Sequence, residues 1–224
     1  MLPTAVRNVG ALVFTYQRRK DALAAGFVSI VETTASPASG SVFPVGDTTV
    51  TATSASGDSC SFTVTVKDVE APAVACSVTA PILWPPSHDL GNVGLVATAT
   101  DNCPGALPIV VQVFGNEDDE MQTGDGNFSP DANDIAPGTL RLRAERRGDG
   151  AGRVYLIVVK ATDTAGNVGY VCLTVAVPHQ PNPRGLAAVN ALAAAAKAFC
   201  DAHNGAPPPG YFVIGDGPIV GPKQ

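Results

Sequence analysis

The sequence predicts a mainly β protein with two β-sandwich modules, followed by a C-terminal α-helix and an extended tail. Charged residues make up only 15% of the 224 residues, while Gly (23) and Pro (19) are frequent. That composition is typical of short strands joined by many turns. A turn that opens into an alternating strand occurs at 53–66 and again at 161–177. Two copies of one hairpin predict two copies of one module.

The first module, residues 1–68, is predicted to be partial. Strands are expected at 10–16 and 27–31, although this part of the sequence has the weakest pattern. After turn-forming residues at 36–41, alternating strands are expected at 48–53 and 60–66, with one apolar face on the second of them.

The second module, residues 73–178, is predicted to contain at least six strands. Their approximate positions are 73–79, 92–100, 109–115, 139–146, 153–162 and 168–177. So many short strands in about 105 residues is the size of a sandwich. An Ala-rich helix is expected at 185–204, with Leu186, Val189, Leu192 and Phe199 on one face. A Pro/Gly-rich tail at 205–224 ends in a short apolar run.

Composition also bears on partners. The net charge of −6 argues against nucleic-acid binding, which needs a basic surface. No apolar run approaches the ~20 residues needed for membrane insertion. Charged residues at 18–21 interrupt any signal peptide, so an export signal would lie outside this chain. The five cysteines contain no Cys-x-x-Cys pair, which argues against a zinc ribbon.

Several motifs together resemble a known family. The stretches 36–46, 48–53, 56–58 and 60–66 resemble the second half of a HYR (hyalin-repeat) domain, an immunoglobulin-like β-sandwich of extracellular proteins. Residues 73–178 resemble a related bacterial immunoglobulin-like module, on the motifs Leu83-Trp-Pro-Pro-Ser-His88, Thr100-Asp-Asn-Cys103, Gly124-Asp-Gly-Asn127 and Ala165-Gly-Asn167. The first module lacks a recognisable first strand, and residues 185–224 match nothing in the family.

The resemblance implies an extracellular or cell-surface location and a structural or adhesive function without catalysis. Other surface proteins or glycans are the partners it suggests. An alternative is an accessory module that binds a ligand such as carbohydrate, which an exposed aromatic platform near Trp84 or Tyr170 would favour.

Acidic residues predict a calcium site. In an immunoglobulin-like sandwich, strand direction brings the loop after Thr100, the acidic loop at 117–134 and the turn at 163–167 to one end, where the linker between modules also enters. The predicted ligands are Asp68, Glu70, Asp101, Asp125, Asn127, Asp131 and Asp163. Calcium prefers six to eight such oxygen atoms and would stiffen the junction. The alternative is a solvated acidic loop.

The cysteines and the C-terminal region leave alternatives open. Within the family context, a disulfide between Cys76 and Cys103 is favoured over two thiols, while Cys172 is predicted to be a small core residue and Cys200 to pack or to link two chains. The alternating charges Arg141, Arg143, Glu145 and Arg147 predict a solvated strand face. The helix and tail either cover a sheet edge within the chain or mediate self-association through residues 205–224.

Overall fold

The computed structural model describes residues 4–8, 11–15, 34–38, 41–53, 57–119, 128–217 and 219. It confirms a mainly β protein with antiparallel sheets and a C-terminal helix. The chain divides into two compact units, Met1–Asp68 and Val69–Gln224.

The first unit contains two small sheets. One pairs β1 (Thr4–Asn8) with β2 (Ala11–Thr15), and the other has the order β3-β4-β5, with β3 (Thr34–Ser36), β4 (Gly46–Thr53) and β5 (Ser59–Val66). The predicted strand at 27–31 falls outside the described residues. Among residues 34–38, 41–53 and 57–68, Val50 is the one buried hydrophobic side chain, so the sheet β3-β4-β5 forms little core of its own.

The second unit contains three sheets, whose strand orders are β13-β12-β9-β14, β10-β11-β7 and β6-β8. The strand ladders within them are antiparallel. In chain order the elements are β6 (Ala73–Ser77), β7 (Leu90–Asn92), β8 (Val96–Thr100), β9 (Ile109–Gly115), β10 (Ala132–Asn133), β11 (Arg141–Arg143), β12 (Gly152–Thr162), β13 (Val168–Pro178), α1 (Pro183–Ala202) and β14 (Phe212–Val213).

Strand β12 is the centre of this unit because it is buried on both faces. Its residues 154–159 are all 0% exposed, as expected for an uninterrupted apolar run that forms an interior strand. Tyr155, Ile157 and Val159 face a core shared with the other sheets. Leu156 and Val158 face the opposite way, into a cluster that includes Cys172 and Cys200.

Helix α1 covers this opposite face of the sheet. It begins after Asn182, whose side chain accepts a hydrogen bond from the Gly185 N–H, a standard N-cap. Its buried residues are Val189, Ala193, Ala196 and Cys200, spaced along one side of the helix. The predicted helix is therefore confirmed, but its packing face differs from the prediction, since Leu192 is 41% exposed.

Small side chains explain the difference. Ala193 and Ala196 let the helix lie close to the sheet, which larger residues on the contact face would prevent. The sequence predicts no membrane insertion, yet α1 is long and apolar enough to cross a membrane by length and composition alone. Core helices of soluble proteins share this property.

The chain after α1 returns to the sheet edge. Gly205, at a φ of +77°, donates its N–H to the Cys200 carbonyl in a helix-ending turn that favours glycine. Strand β14 then pairs with β9, and Ile214 is 1% exposed within the core. The described part of the tail therefore packs within its own chain.

The disulfide joins Cys172 of β13 to Cys200 of α1, with their Cα atoms 6.3 Å apart. This corrects the predicted pairing, because Cys76 and Cys103 carry thiols in the structure. The prediction did not place the helix on the outer face of the sheet. Cys172 faces that side, directly under the last turns of α1, where Cys200 is the buried residue.

Candidate functional site

Three segments meet at one end of the second unit: residues 69–72, the β8–β9 loop and the β12–β13 turn. The Asn102 side chain donates a hydrogen bond to Glu70. A Cβ atom on Gly105 would lie 2.8 Å from Thr164 Cγ2, so the loop and the turn are in contact. A Cβ on Gly169 would collide with the Pro72 carbonyl, so residues 69–72 lie directly beside β13.

Asp101 is the residue at this end that offers an available oxygen. Its Oδ1 accepts a 2.7 Å hydrogen bond from the Cys103 N–H. Its Oδ2 is buried and has no hydrogen-bond donor among the described residues. A buried carboxylate oxygen without a partner is costly, and a cation is one group that would satisfy it.

Asp163 lies at the same end but serves its own turn. Its Oδ1 accepts the N–H groups of Ala165 (2.9 Å) and Asn167 (2.8 Å), and its Oδ2 accepts the Asn167 side-chain amide. Desolvation opposes these bonds, but together they lower the pKa of the Asp163 carboxyl. The carboxylate closes the turn, as aspartate commonly does.

Of the other predicted ligands, Glu70 is held at this end by its bond with Asn102. Asp125 and Asn127 fall outside the described residues. Asp68 is the last residue of the first unit, while Glu70 belongs to the second. Asp131 is a correction: it is 0% exposed, and both of its carboxylate oxygens pair with arginines. We therefore remove Asp131 from the calcium ligands.

The Asp131 carboxylate belongs to a buried ion-pair network. Its Oδ1 accepts a 3.0 Å bond from Arg143 Nε, and its Oδ2 accepts from Arg153. Arg153 Nε also donates to Glu117 Oε2 at 3.0 Å. The four side chains are at most 7% exposed.

This network connects two sheets of the second unit. Asp131 precedes β10 and Arg143 ends β11, in the three-stranded sheet, whereas Glu117 follows β9 and Arg153 begins β12, in the four-stranded sheet. Arg143 additionally donates to the carbonyl oxygens of Pro130 and His88. Every charge here is used to hold backbone segments in place.

The predicted solvated face of 141–147 is therefore partly wrong. Arg141 and Arg147 do pair with exposed carboxylates, Asp134 and Asp149. Arg143 and Glu145, in contrast, are 0% and 2% exposed: the segment at 128–131 lies over Arg143, and Glu145 pairs with His88. Phe128, whose ring centre is 5.6 Å from the Arg143 guanidinium carbon, is part of that cover.

His88 and Glu145 form a second pair, with 2.9 Å between His88 Nδ1 and Glu145 Oε2. His88 adopts a φ of +62°, an uncommon conformation for a residue with a side chain. Burial raises the pKa of Glu145, and the hydrogen bond from His88 and its charge only partly oppose this rise.

Tyr155 also hydrogen-bonds to this network. Its hydroxyl donates to the Arg143 carbonyl at 2.8 Å and accepts from Arg153 at 3.2 Å. Burial raises the pKa of Tyr155 to about 12, although Arg153 acts in the opposite direction. The hydroxyl is therefore a permanent donor at neutral pH.

Asp119 stands beside this network without an ion pair of its own among the described residues. Its Oδ2 accepts the N–H groups of Asp131 (3.1 Å) and Gly215 (3.0 Å). Burial raises the pKa of Asp119; the Gly215 N–H lowers it, and the nearby Asp216 carboxylate raises it further.

The sequence contains one signal for this network, in the positions of its two arginines. Arg143 follows Leu142, and Arg153 opens the uninterrupted apolar run at 154–159. A charged residue next to a fully apolar strand must be paired when the strand is buried. The acidic partners, 12 to 36 residues away, have no comparable signal.

A scan of the chain against protein-family models finds no match, and searches of curated proteins and of solved structures find none either.

Proposed function

We propose that this chain is a non-catalytic structural or adhesion segment of a secreted or cell-surface protein, built from immunoglobulin-like modules of the HYR type and stiffened by calcium. The observation that carries the proposal is the way buried charges and the disulfide are used in the second unit. The ion pairs link the three-stranded sheet to the four-stranded sheet, and the disulfide links α1 to the four-stranded sheet.

The ion-pair network supports this function because it joins two sheets through side chains that are inaccessible to substrate. Glu117, Asp131, Arg143 and Arg153 are buried and paired. A catalytic acid or base must instead reach the proton it transfers. Their arrangement is that of a rigid module.

The disulfide supports the extracellular location. Disulfides persist in oxidising compartments and are rare in the cytosol. Cys172 and Cys200 are both 0% exposed, and their bond fastens α1 to the sheet. A secreted or surface protein is the setting in which such a bond forms and remains.

Calcium at the loop end is supported by Asp101, whose buried Oδ2 lacks a donor among the described residues. Glu70 brings a further carboxylate to this end, and Asp163 lies there too, with its oxygens bonded within its own turn. Calcium accepts irregular sets of carboxylate, amide and carbonyl oxygens, which the loop and the turn supply. The ion would hold the β8–β9 loop against the β12–β13 turn.

Thermal unfolding in a calcium chelator, and again after calcium is restored in excess, tests the calcium proposal. We expect calcium to raise the Tm of the wild type more than the Tm of Asp101→Asn, because the substitution removes one carboxylate ligand of the loop-end ion. Asp149→Asn, at a 78% exposed side chain, controls for the change in net charge. A wild-type Tm that is the same in chelator and in calcium would refute it.

A second candidate is a ligand-binding module of the carbohydrate type, which the exposure of Trp84 favours. Trp84 is 45% exposed, and exposed aromatic rings stack on apolar ligand faces. Tyr170 supports it less, because its hydroxyl donates to the Asp201 carbonyl and its ring packs beside α1. Trp84 is the one tryptophan of the chain, so its fluorescence reports this surface alone. A shift on titration with oligosaccharides, lost in Trp84→Ala, would establish binding there.

A further inference from the structure

A second group of unsatisfied oxygen atoms lies beyond the other end of β9. Asp101 precedes β9 and Asp119 follows it, and a strand of seven residues spans roughly 20 Å. The group described here is therefore separate from the calcium site proposed at the loop end.

The Asp119 carboxylate is held between two segments. It accepts one N–H from Asp131, at the start of β10, and one from Gly215, just after β14. Both bonds go to Oδ2. The other oxygen, Oδ1, is buried without a donor among the described residues, in a side chain that is 6% exposed.

Ser129 supplies a second buried oxygen without a hydrogen-bond partner among the described residues. This atom is its Oγ, and the residue is 3% exposed. Ser129 lies two residues before Asp131, on the segment that anchors Asp119. Two buried and unsatisfied oxygens on adjoining segments are rare in native proteins unless water or an ion satisfies them.

The local charge is only partly compensated, since Arg153 favours the charged form of Asp119 while burial and the Asp216 carboxylate oppose it. Arg143 and Arg153 are committed to Asp131 and Glu117. Asp216 follows Gly215, whose N–H bonds to Asp119, and the Asp216 carboxylate is near enough to raise the pKa of Asp119. Two carboxylates in one place repel each other unless a proton or a cation neutralises them.

We propose that Asp119, Ser129 and Asp216 bind a divalent cation of the calcium type, which fastens the C-terminal tail to the segment at 128–131. The donors are all oxygens, which calcium prefers to nitrogen or sulfur. The two backbone N–H groups on Oδ2 leave Oδ1 for the ion. Asp216 is exposed, so the ion has access from solvent. The proposal is independent of the function proposed above.

Hydrogen exchange tests the proposal locally. The full chain, stripped of metal with a chelator and then titrated with calcium or magnesium, is followed by mass spectrometry in peptides that cover 128–133 and 211–217. Calcium is expected to slow exchange in both peptides of the wild type. Asp119→Asn should remove that effect, and Asp216→Asn should weaken the calcium affinity by about tenfold, because a charged ligand is lost.

Two control variants separate this site from its surroundings. Asp134→Asn removes an exposed carboxylate that pairs with Arg141, and it should keep the wild-type response. Asp101→Asn should also keep the response at 128–133 and 211–217. If instead calcium slows exchange only around 99–105, and only with Asp101 present, the inference is overturned while the calcium proposed at the loop end stands.

The converse result is equally distinct. A response confined to 128–133 and 211–217, and lost in Asp119→Asn, supports this site and contradicts the loop-end site. Equal responses of the wild type and Asp119→Asn overturn the inference. If Asp119→Asn does not fold, Asp216→Asn decides, since its side chain is exposed: unaltered calcium affinity in that variant overturns the inference.

Discussion

Asp131 is fully buried between Arg143 and Arg153, and its carboxylate accepts hydrogen bonds from both. Transfer of these charges from water is costly, so the network stabilises the fold only while every member keeps its partners. The sequence did not reveal this, because an aspartate in an acidic, glycine-rich stretch is far more often a solvated residue. Tertiary structure alone places it beside arginines from two other strands.

Asp131→Asn should lower the free energy of unfolding by about 3–5 kcal/mol, because it leaves two buried guanidinium groups without a full counter-charge. Urea denaturation at neutral pH measures the change. The matched variant Asp134→Asn breaks an exposed pair with Arg141 and should cost no more than about 1 kcal/mol. Equal effects of the two variants would show that the network contributes nothing special.

Glu145 should make stability depend on pH. Burial raises its pKa above the ordinary value of 4.5, so the folded state binds the proton more tightly than the unfolded state does. The stabilisation from Glu145 is therefore complete below pH 4.5 and is lost as pH rises through the folded pKa. The slope is at most about 1.4 kcal/mol per pH unit for a single proton.

Comparison of the wild type with Glu145→Gln from pH 4 to pH 7 by urea denaturation isolates this contribution. We expect the wild type to lose stability relative to the variant as pH rises. Asp149→Asn, at an exposed site, serves as the control for net charge. A difference between wild type and Glu145→Gln that stays constant over the range would contradict the assignment.

At the scale of elements, α1 and β14 complete the four-stranded sheet. The helix covers one face, held by the disulfide, and the tail strand covers the edge of β9. The helix itself was predictable from its Ala-rich composition and apolar spacing. The surface on which the helix packs was not predictable in the same way, because the prediction placed the helix at a sheet edge. Strands β12 and β13 carry apolar side chains on both faces, so the second face also requires a cover.

Replacement of Cys172 and Cys200 by alanine should destabilise the second unit by about 3–4 kcal/mol, the chain-entropy value for the 28-residue separation. That corresponds to a drop in Tm of roughly 10 °C for a unit of this size. Cys60→Ala, at an exposed thiol, should leave the Tm unchanged. An unchanged Tm in the double variant would show that α1 is held by packing alone.

At the scale of the whole molecule, the described core lies in the second unit. Its largest cluster extends from Val93 to Ile214 and draws on all three sheets. In the first unit, Val50 is the one buried hydrophobic residue within 34–38, 41–53 and 57–68. We infer that residues 69–224 hold the information needed for their own fold.

A fragment of residues 69–224 should therefore unfold cooperatively and form the Cys172–Cys200 bond. Near-ultraviolet circular dichroism and thermal melting of the fragment, compared with the full chain, measure this. The Asp131→Asn penalty should reappear in the fragment at the same size, because every partner of Asp131 is present. A fragment with secondary structure but no cooperative transition would show that residues 1–68 are required.

The sequence by itself determined the local structure: the mainly β class, most strand positions of the second unit and the helix. Alternation, turn residues and apolar runs are properties of neighbouring residues, so they can be recognised without the fold. Only the tertiary structure decided which cysteines pair, which charges are buried and where the helix packs. Those outcomes depend on contacts between residues distant in sequence, such as Asp131 with Arg153 and Cys172 with Cys200, and on which face of a strand receives a cover.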